Sequence, residues 1–332
     1  MANLAVLGAG NWGTTLAVLQ ARAGRTVTLW ARRPEQAALL AQTRENVAAL
    51  PGVALPSGIE VTSSLEQALA GAGAVVLAAP AQSLRVLARQ LASLLAQGTP
   101  LVSAAKGIEI ESGARLSEVL AQELGAGWPM AALSGPNLAP EIARGLPAAA
   151  TLASAELALA EEMQEALATP TFRLYASTDL VGVELAGSLK NVIALAAGIC
   201  DGLGLGDNGK AAIITRGLAE MTRLGVAAGA QPLTFAGLSG LGDLVATCGS
   251  RLSRNHRVGE ALARGRPLAE IEAELGMVAE GVPTARAVRV LAARHGVEMP
   301  ISAQVYAVLF EGKSARAAAQ DLLARAMARE GG

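Results

Sequence analysis

Lysine is scarce in this chain. Of its 27 basic residues only four are lysine: Lys106, Lys190, Lys210 and Lys313. A chain that otherwise uses arginine has kept lysine at positions where a group able to release its proton would serve and a guanidinium would not. Aspartate is missing altogether from the first 178 residues, so any acid needed in that half of the chain must be a glutamate. Cysteine is confined to Cys200 and Cys248 without CxxC spacing, which argues against a zinc site and fits a reducing cytoplasm. The two histidines, His256 and His295, stand alone and offer no metal-ligand spacing. Neither charge sign dominates, with a net charge of −1 and pI ≈ 6.2, so no nucleic-acid or membrane-surface partner is indicated. Mean hydropathy is +0.39, yet no apolar run approaches the ~18 residues of a membrane span, and no integral membrane segment is expected. The N-terminus opens on an apolar strand with no basic leader or cleavage site, so export is not expected.

What is present divides the 332 residues into two parts. Asn3 to Leu7 reads as a strand ending in Gly8-Ala9-Gly10-Asn11-Trp12-Gly13. Helical spacing of Trp12, Leu16, Leu19 and Ala23 follows, then a strand from Thr26 to Trp30. In this strand, GxGxxG, helix, strand setting the glycines permit a tight turn and close approach of a pyrophosphate to the helix N-terminus. Arg32 and Arg33 follow the second strand where an acid would select NAD. They suit a 2′-phosphate, the alternative being a solvated basic turn. Residues 34–70 read as a helix, a loop punctuated by Pro51-Gly52, Pro56 and Gly58, and a short helix. Short apolar runs at 75–78, 101–103 and 130–133 alternate with helices, and 148–152 and 172–175 extend the sheet at its edge. That alternation predicts an α/β fold with a doubly wound, Rossmann-like parallel sheet over 1–180, followed by an all-helical part over 181–332.

The stretch VGVELAGSLKNVIALAAGIC from Val181 to Cys200 predicts one long buried helix, apolar around most of its axis. Glu184, Ser188, Lys190 and Asn191 are set into it. Gly187 and Ala194, one turn to either side of Lys190, are expected to leave room for a substrate. Burial tends to lower a lysine pKa and so to make an acid or base; the alternatives are snorkelling from a helix end or pairing with a glutamate. The run from Asp201 to Gly209 reads either as a mobile lid or as a plain interhelical loop. Ser253-Arg254-Asn255 opens a later helix with groups suited to a phosphate.

The stretches GAGNWGTTLA, SAAKGIE, LSGPNLAPEIA, VELAGSLKNVIALAAGI, GLGDNGKAAIITRG, GLSGLGDLVATC, SRNHRVGEAL and VAEGV cover nearly the whole chain. Together they resemble the bacterial NAD(P)-dependent glycerol-3-phosphate dehydrogenases. The resemblance implies reduction of dihydroxyacetone phosphate to sn-glycerol 3-phosphate, with NADP(H) preferred and NAD(H) as the alternative cofactor. It implies Lys190 as the catalytic acid/base. Lys106, Gly135, Asn137, Asn191, Asp243, Thr247, Ser253, Arg254 and Asn255 would then contact or orient the substrate. Gly8, Gly10, Asn11, Trp12, Gly13, Arg32, Arg33, Lys106, Ala139, Arg254, Val278 and Glu280 would line the cofactor. Asn11 and Asn137 stand where similar enzymes usually have serine or threonine. No metal is implied, and whether the chain acts as a homodimer is left open. Two other readings are an NADP-dependent dehydrogenase of 3-hydroxy or keto acids, which would want arginine for a carboxylate, and a catalytically silent NADPH sensor, which would be expected to lose Lys190 or Asp243.

Overall fold

The computed structural model describes residues 3–325. In chain order β1 (Asn3–Leu7), α1 (Asn11–Arg22), β2 (Val27–Trp30), α2 (Pro34–Thr43), β3 (Ile59–Thr62), α3 (Leu65–Leu69) and β4 (Ala72–Leu77) form the first half of the sheet unit. Next come α4 (Leu84–Leu91), β5 (Leu101–Ser103), α5 (Leu116–Leu124), β6 (Met130–Ser134), α6 (Ala139–Ala143), β7 (Ala148–Ala153), α7 (Leu157–Leu167) and β8 (Phe172–Ser177). The remainder is helical: α8 (Leu180–Gly202), α9 (Gly206–Ala227), α10 (Pro232–Ala236), α11 (Asp243–Gly249), α12 (Arg254–Ala263), α13 (Leu268–Leu275), α14 (Gly281–His295), α15 (Pro300–Phe310) and α16 (Ala315–Leu323).

The sheet order is β3-β2-β1-β4-β5-β6-β7-β8. The six strands from β3 to β6 are parallel; β7 pairs with β6 antiparallel, and β8 runs parallel to β7. The expected parallel sheet is therefore present, but its last two strands run the other way. Their N-terminal ends consequently lie beside the C-terminal ends of the parallel strands. Side chains of β1 alternate between faces: Leu4 and Val6 enter one core, with α1 and α7, while Ala5 and Leu7 enter the other, with α4 and α5. Covered on both faces, such strands read as unbroken apolar runs, which is why most were legible. β3 was not expected. Its four residues are buried only at the two ends, lie at the sheet edge and follow a Pro/Gly-rich stretch, so neither length nor apolarity marks them.

α8 is the axis of the helical half. Every residue from Leu185 to Cys200 is buried, which the all-round apolar pattern predicts. Asp179, the first aspartate in the chain, caps its start by accepting from the Gly182 N–H (2.9 Å) and also accepts from the Gln231 N–H and the Thr234 hydroxyl, tying α8 to α10. Such a cap stabilises by ~1 kcal/mol. The expectation that no apolar run nears spanning length needs correction. α8 reaches it, with 23 residues and a hydropathy of 1.5 over its best window, but 89% of that window is buried inside the protein. The Asp201–Gly209 stretch, which reads as a mobile lid or a plain interhelical loop, is a short connection between two helices that reach into it from either side. α8 continues to Gly202 and α9 starts at Gly206, and Asp201 is held by His256 Nε2 and Lys210 Nζ, each at 2.8 Å. α12 lies against α8 where Gly198 and Gly259 leave room for the opposing backbone. A Cβ at either would fall 2.0–2.1 Å from a carbonyl oxygen of the other helix. This contact sets Asn255 beside Asn191.

Candidate active site

Four elements meet beyond the C-terminal ends of the parallel strands, where ligands of open α/β sheets bind. β5 and β6 deliver Lys106 and Gly135 just past their ends, α8 delivers Lys190 and α11 delivers Asp243 and Thr247. A single π-type turn, Leu238–Gly242, precedes Asp243. Ser239 within it donates to the Ser134 carbonyl (3.0 Å) and so fixes α11 against the sheet.

The charges form one buried cluster. Lys106 Nζ donates to Asp243 Oδ2 at 2.5 Å and to the Gly135 carbonyl at 2.8 Å. Lys190 Nζ lies 3.0 Å from Asp243 Oδ1 and donates to Thr247 Oγ1 at 2.7 Å. Thr247 in turn donates to Asp243 Oδ1 at 3.0 Å. The side chains of Lys190 and Asp243 are 8% and 2% exposed. Lys190 therefore pairs with an aspartate from another element rather than with Glu184, which is committed to Arg115 and Ser117 at the start of α5. Burial pushes Lys106 down to about 8, with the Lys190 charge acting in the same direction and Asp243 opposing it. Burial alone would raise Asp243, but the two ammonium groups hold it below the usual carboxylate range. Burial also drives the neighbouring Cys248 thiol up to about 12, leaving it an inert filler.

Small residues beside Lys190 do not leave open space, contrary to expectation. A Cβ on Gly187 would lie 2.3 Å from the Ser134 hydroxyl, so this glycine lets α8 approach the end of β6. Ala194 is fully buried. The Ser103 and Ser134 hydroxyls and both polar atoms of the Asn137 side chain are buried without hydrogen-bond partners among the described residues. These are the unspent polar groups of the site. Neither serine was predicted to take part; the available signal was a hydroxyl ending a buried apolar strand.

Asn191 and Asn255 face each other, with Asn255 Nδ2 donating to Asn191 Oδ1 (2.8 Å) and Asn255 Oδ1 accepting the Gly281 N–H (2.9 Å). Ser253 caps α12 by accepting from the His256 N–H. Of the predicted Ser-Arg-Asn trio, Arg254 keeps most of its donors, spending one on the Val278 carbonyl at 2.5 Å. Burial lowers its pKa, against the pull of Glu280. Glu280 accepts from the Ala81 N–H (3.3 Å), and its second oxygen has no partner among the described residues. Burial raises its pKa, partly offset by that N–H and by Arg254.

The residues at the glycine turn fit a dinucleotide. Gly8 has φ +123°, and a Cβ there would lie 2.8 Å from the Ala78 backbone; a Cβ on Gly13 would lie 1.9 Å from the Gly8 oxygen. At Gly10 the same test meets nothing within 4 Å, so the backbone there is open to close approach. The start of α1 has no side-chain cap, which leaves its N–H groups for an anion. Trp12 packs edge-on against Phe172 with its indole N–H buried and unpartnered among the described residues. Thr15 links the Asn11 and Ala139 carbonyls and holds α6 beside α1. Arg32 and Arg33 are exposed past the end of β2. Among the described residues no three metal-ligating side chains cluster.

Comparison with known proteins places this geometry. The family models for the N- and C-terminal parts of NAD-dependent glycerol-3-phosphate dehydrogenase match residues 3–160 and 179–320. A glycerol-3-phosphate dehydrogenase (NAD(P)+) of Moorella thermoacetica is 52% identical over 312 residues, covering 94% of this chain and 92% of its own. Its counterpart in Geobacter metallireducens is 52% identical over 324 residues, 97% of each chain. The crystal structure of glycerol-3-phosphate dehydrogenase from Coxiella burnetii matches with a TM-score of 0.95 at 39% identity, over 98% of this chain and 99% of that one. A ketopantoate reductase of Ralstonia eutropha, at 16% identity and a TM-score of 0.58, shares the fold alone. On these grounds, the chain belongs to the NAD-dependent glycerol-3-phosphate dehydrogenase family.

Proposed function

We propose that the protein catalyses the reversible NAD(P)H-dependent reduction of dihydroxyacetone phosphate to sn-glycerol 3-phosphate in the cytoplasm, supplying the backbone of glycerophospholipids. Residues 1–180 would bind the dinucleotide and 181–332 would supply the helical substrate part. The observation that carries this reading is the buried Lys106–Asp243–Lys190–Thr247 cluster at the C-terminal edge of the sheet. Two ammonium groups around one carboxylate give a net positive site, which suits an anionic phosphate ester and an oxygen that gains charge during reaction.

A bound nicotinamide would supply the hydride. The chain's own residues supply the rest. Lys190 stabilises the charge growing on the substrate oxygen and gives it a proton; in the reverse direction its neutral amine takes that proton. Thr247 accepts from Lys190 and donates to Asp243, which fixes the direction of the ammonium. Lys106 stays tied to Gly135 and Asp243 and adds positive charge beside it. Arg254 anchors the phosphate, so that binding energy remote from the carbonyl positions the reacting carbon. Arg32 and Arg33 favour NADP(H), with NAD(H) accepted more weakly.

Loss of NADPH absorbance with dihydroxyacetone phosphate, unphosphorylated dihydroxyacetone and small keto acids tests the substrate. The reading expects turnover to be fastest with the phosphate ester. Faster turnover of a keto acid would overturn it.

A further inference from the structure

The carbonyl of Ala9, inside the glycine turn, accepts two side-chain hydrogen bonds from residues far along the chain. Gln36 Nε2 donates to it at 3.0 Å from α2, and Asn46 Nδ2 donates at 3.0 Å from the segment after α2. The second Asn46 N–H goes to Thr14 Oγ1 in α1 at 2.8 Å. Asn46 is 3% exposed and Thr14 fully buried.

The segment bearing Asn46 is itself anchored. Arg44 ends α2 in the left-handed conformation, φ 53°, and donates to the carbonyls of Ile59, Leu55 and Pro56. Glu45 accepts the Gly52 N–H at 2.7 Å. Leu50, Val53 and Leu55 enter the same core as Ala9. A buried polar side chain on a fixed support, spending both its protons on the turn and on the helix that follows, is more than a filler.

The peptide joining Ala9 to Gly10 is planar and trans, so its C=O and N–H point in opposite directions. With the Ala9 oxygen held toward Gln36 and Asn46, the Gly10 N–H points away from them. Gly10 is also where an added Cβ would meet nothing within 4 Å. We propose that Asn46, assisted by Gln36, is a positioning residue of the dinucleotide site: it fixes the Ala9–Gly10 peptide so that its N–H is presented to the cofactor diphosphate. This rests on the dinucleotide reading of the turn. The diphosphate is common to NADPH and NADH, so the effect is blind to the 2′-phosphate, unlike that of Arg32 and Arg33.

Asn46→Leu keeps the branching at Cγ, at the cost of some added volume, and removes both donors. Dissociation constants for NADPH, NADH and adenosine 2′-monophosphate, measured by calorimetry on the free protein, test the proposal alongside the melting temperature and kcat at saturating cofactor. The expected result is a rise of about tenfold for both dinucleotides, with adenosine 2′-monophosphate, which lacks the diphosphate, within about twofold of the parent and kcat nearly unchanged. Gln36→Leu, at a half-buried position, should give a smaller rise of the same kind and decides the matter where Asn46→Leu does not fold. Unchanged dinucleotide affinity, or an equal loss for adenosine 2′-monophosphate, would overturn the positioning role. Failure of the unsubstituted protein to bind either dinucleotide would overturn the dinucleotide reading instead.

Discussion

Replacing Asp243 by Asn probes the charge cluster with the least change of shape. The carboxylate lies 2.5 Å from Lys106 Nζ and 3.0 Å from Lys190 Nζ, in a site nearly closed to solvent. Losing it leaves two neighbouring ammonium groups without their counter-charge, and breaking a buried pair in this way costs ~3–5 kcal/mol. The protein can shed part of that cost by releasing a proton. Burial already holds Lys106 at about 8, and Asp243 is what opposes a further fall. In Asp243→Asn the pKa should therefore drop by at least about one unit, each unit being worth ~1.4 kcal/mol. Two readouts follow. In the parent, kcat/KM for dihydroxyacetone phosphate should fall as pH rises through about 8, because that ratio reports groups of the free enzyme; in the variant the fall should begin lower, on a rate reduced about 10²-fold or more. Stability supplies the sign check. A lysine whose folded pKa lies below its unfolded value of 10.5 binds fewer protons folded than unfolded between the two. Its penalty is thus full below the folded pKa and relieved as pH rises through that window. The variant's window opens lower, so its stability should climb between about pH 6 and pH 8, where the parent gains little from this group. Initial rates and denaturant unfolding across that range measure both. An alkaline limb still centred near 8, with stability within about 1 kcal/mol of the parent, would refute the account of the cluster.

Two further substitutions separate the ligand subsites. Arg254→Ala should weaken dihydroxyacetone phosphate strongly while changing the poor turnover of unphosphorylated dihydroxyacetone little, with NADPH affinity followed alongside because Arg254 also faces Glu280; equal losses for both substrates would mean that it does not read the phosphate. The double change Arg32→Ala with Arg33→Ala should raise the Michaelis constant for NADPH roughly tenfold to a hundredfold and leave NADH within a few-fold. That penalty should shrink as salt is raised, and an equal loss for both cofactors would reduce the arginines to loop-shaping residues.

The sequence reveals most where one residue type answers one local requirement. The GAGNWG turn is such a case, since both Gly8 and Gly13 abut backbone that a side chain would strike. The scarcity of lysine marked four positions without ranking them: Lys106 and Lys190 share Asp243, whereas Lys210 and Lys313 pair with Asp201 and with Asp321 on the surface. What stayed hidden depends on long-range partners. No local pattern says that Glu184 will be spent on Arg115 and Ser117, that Gly187 will receive Ser134, or that Asn255 will turn inward to Asn191 and Gly281. Strand direction is hidden for the same reason, because the side-chain period of β7 is the same whichever way it pairs with β6.

The most direct test of the central claim is the rate of NADPH-dependent reduction of dihydroxyacetone phosphate by Lys190→Met, with the NADPH dissociation constant measured on the same sample. The account predicts that NADPH binding stays within a few-fold while turnover falls about 10²-fold or more, the scale of losing a positioned acid. Turnover near that of the unsubstituted protein would remove Lys190 from the chemistry.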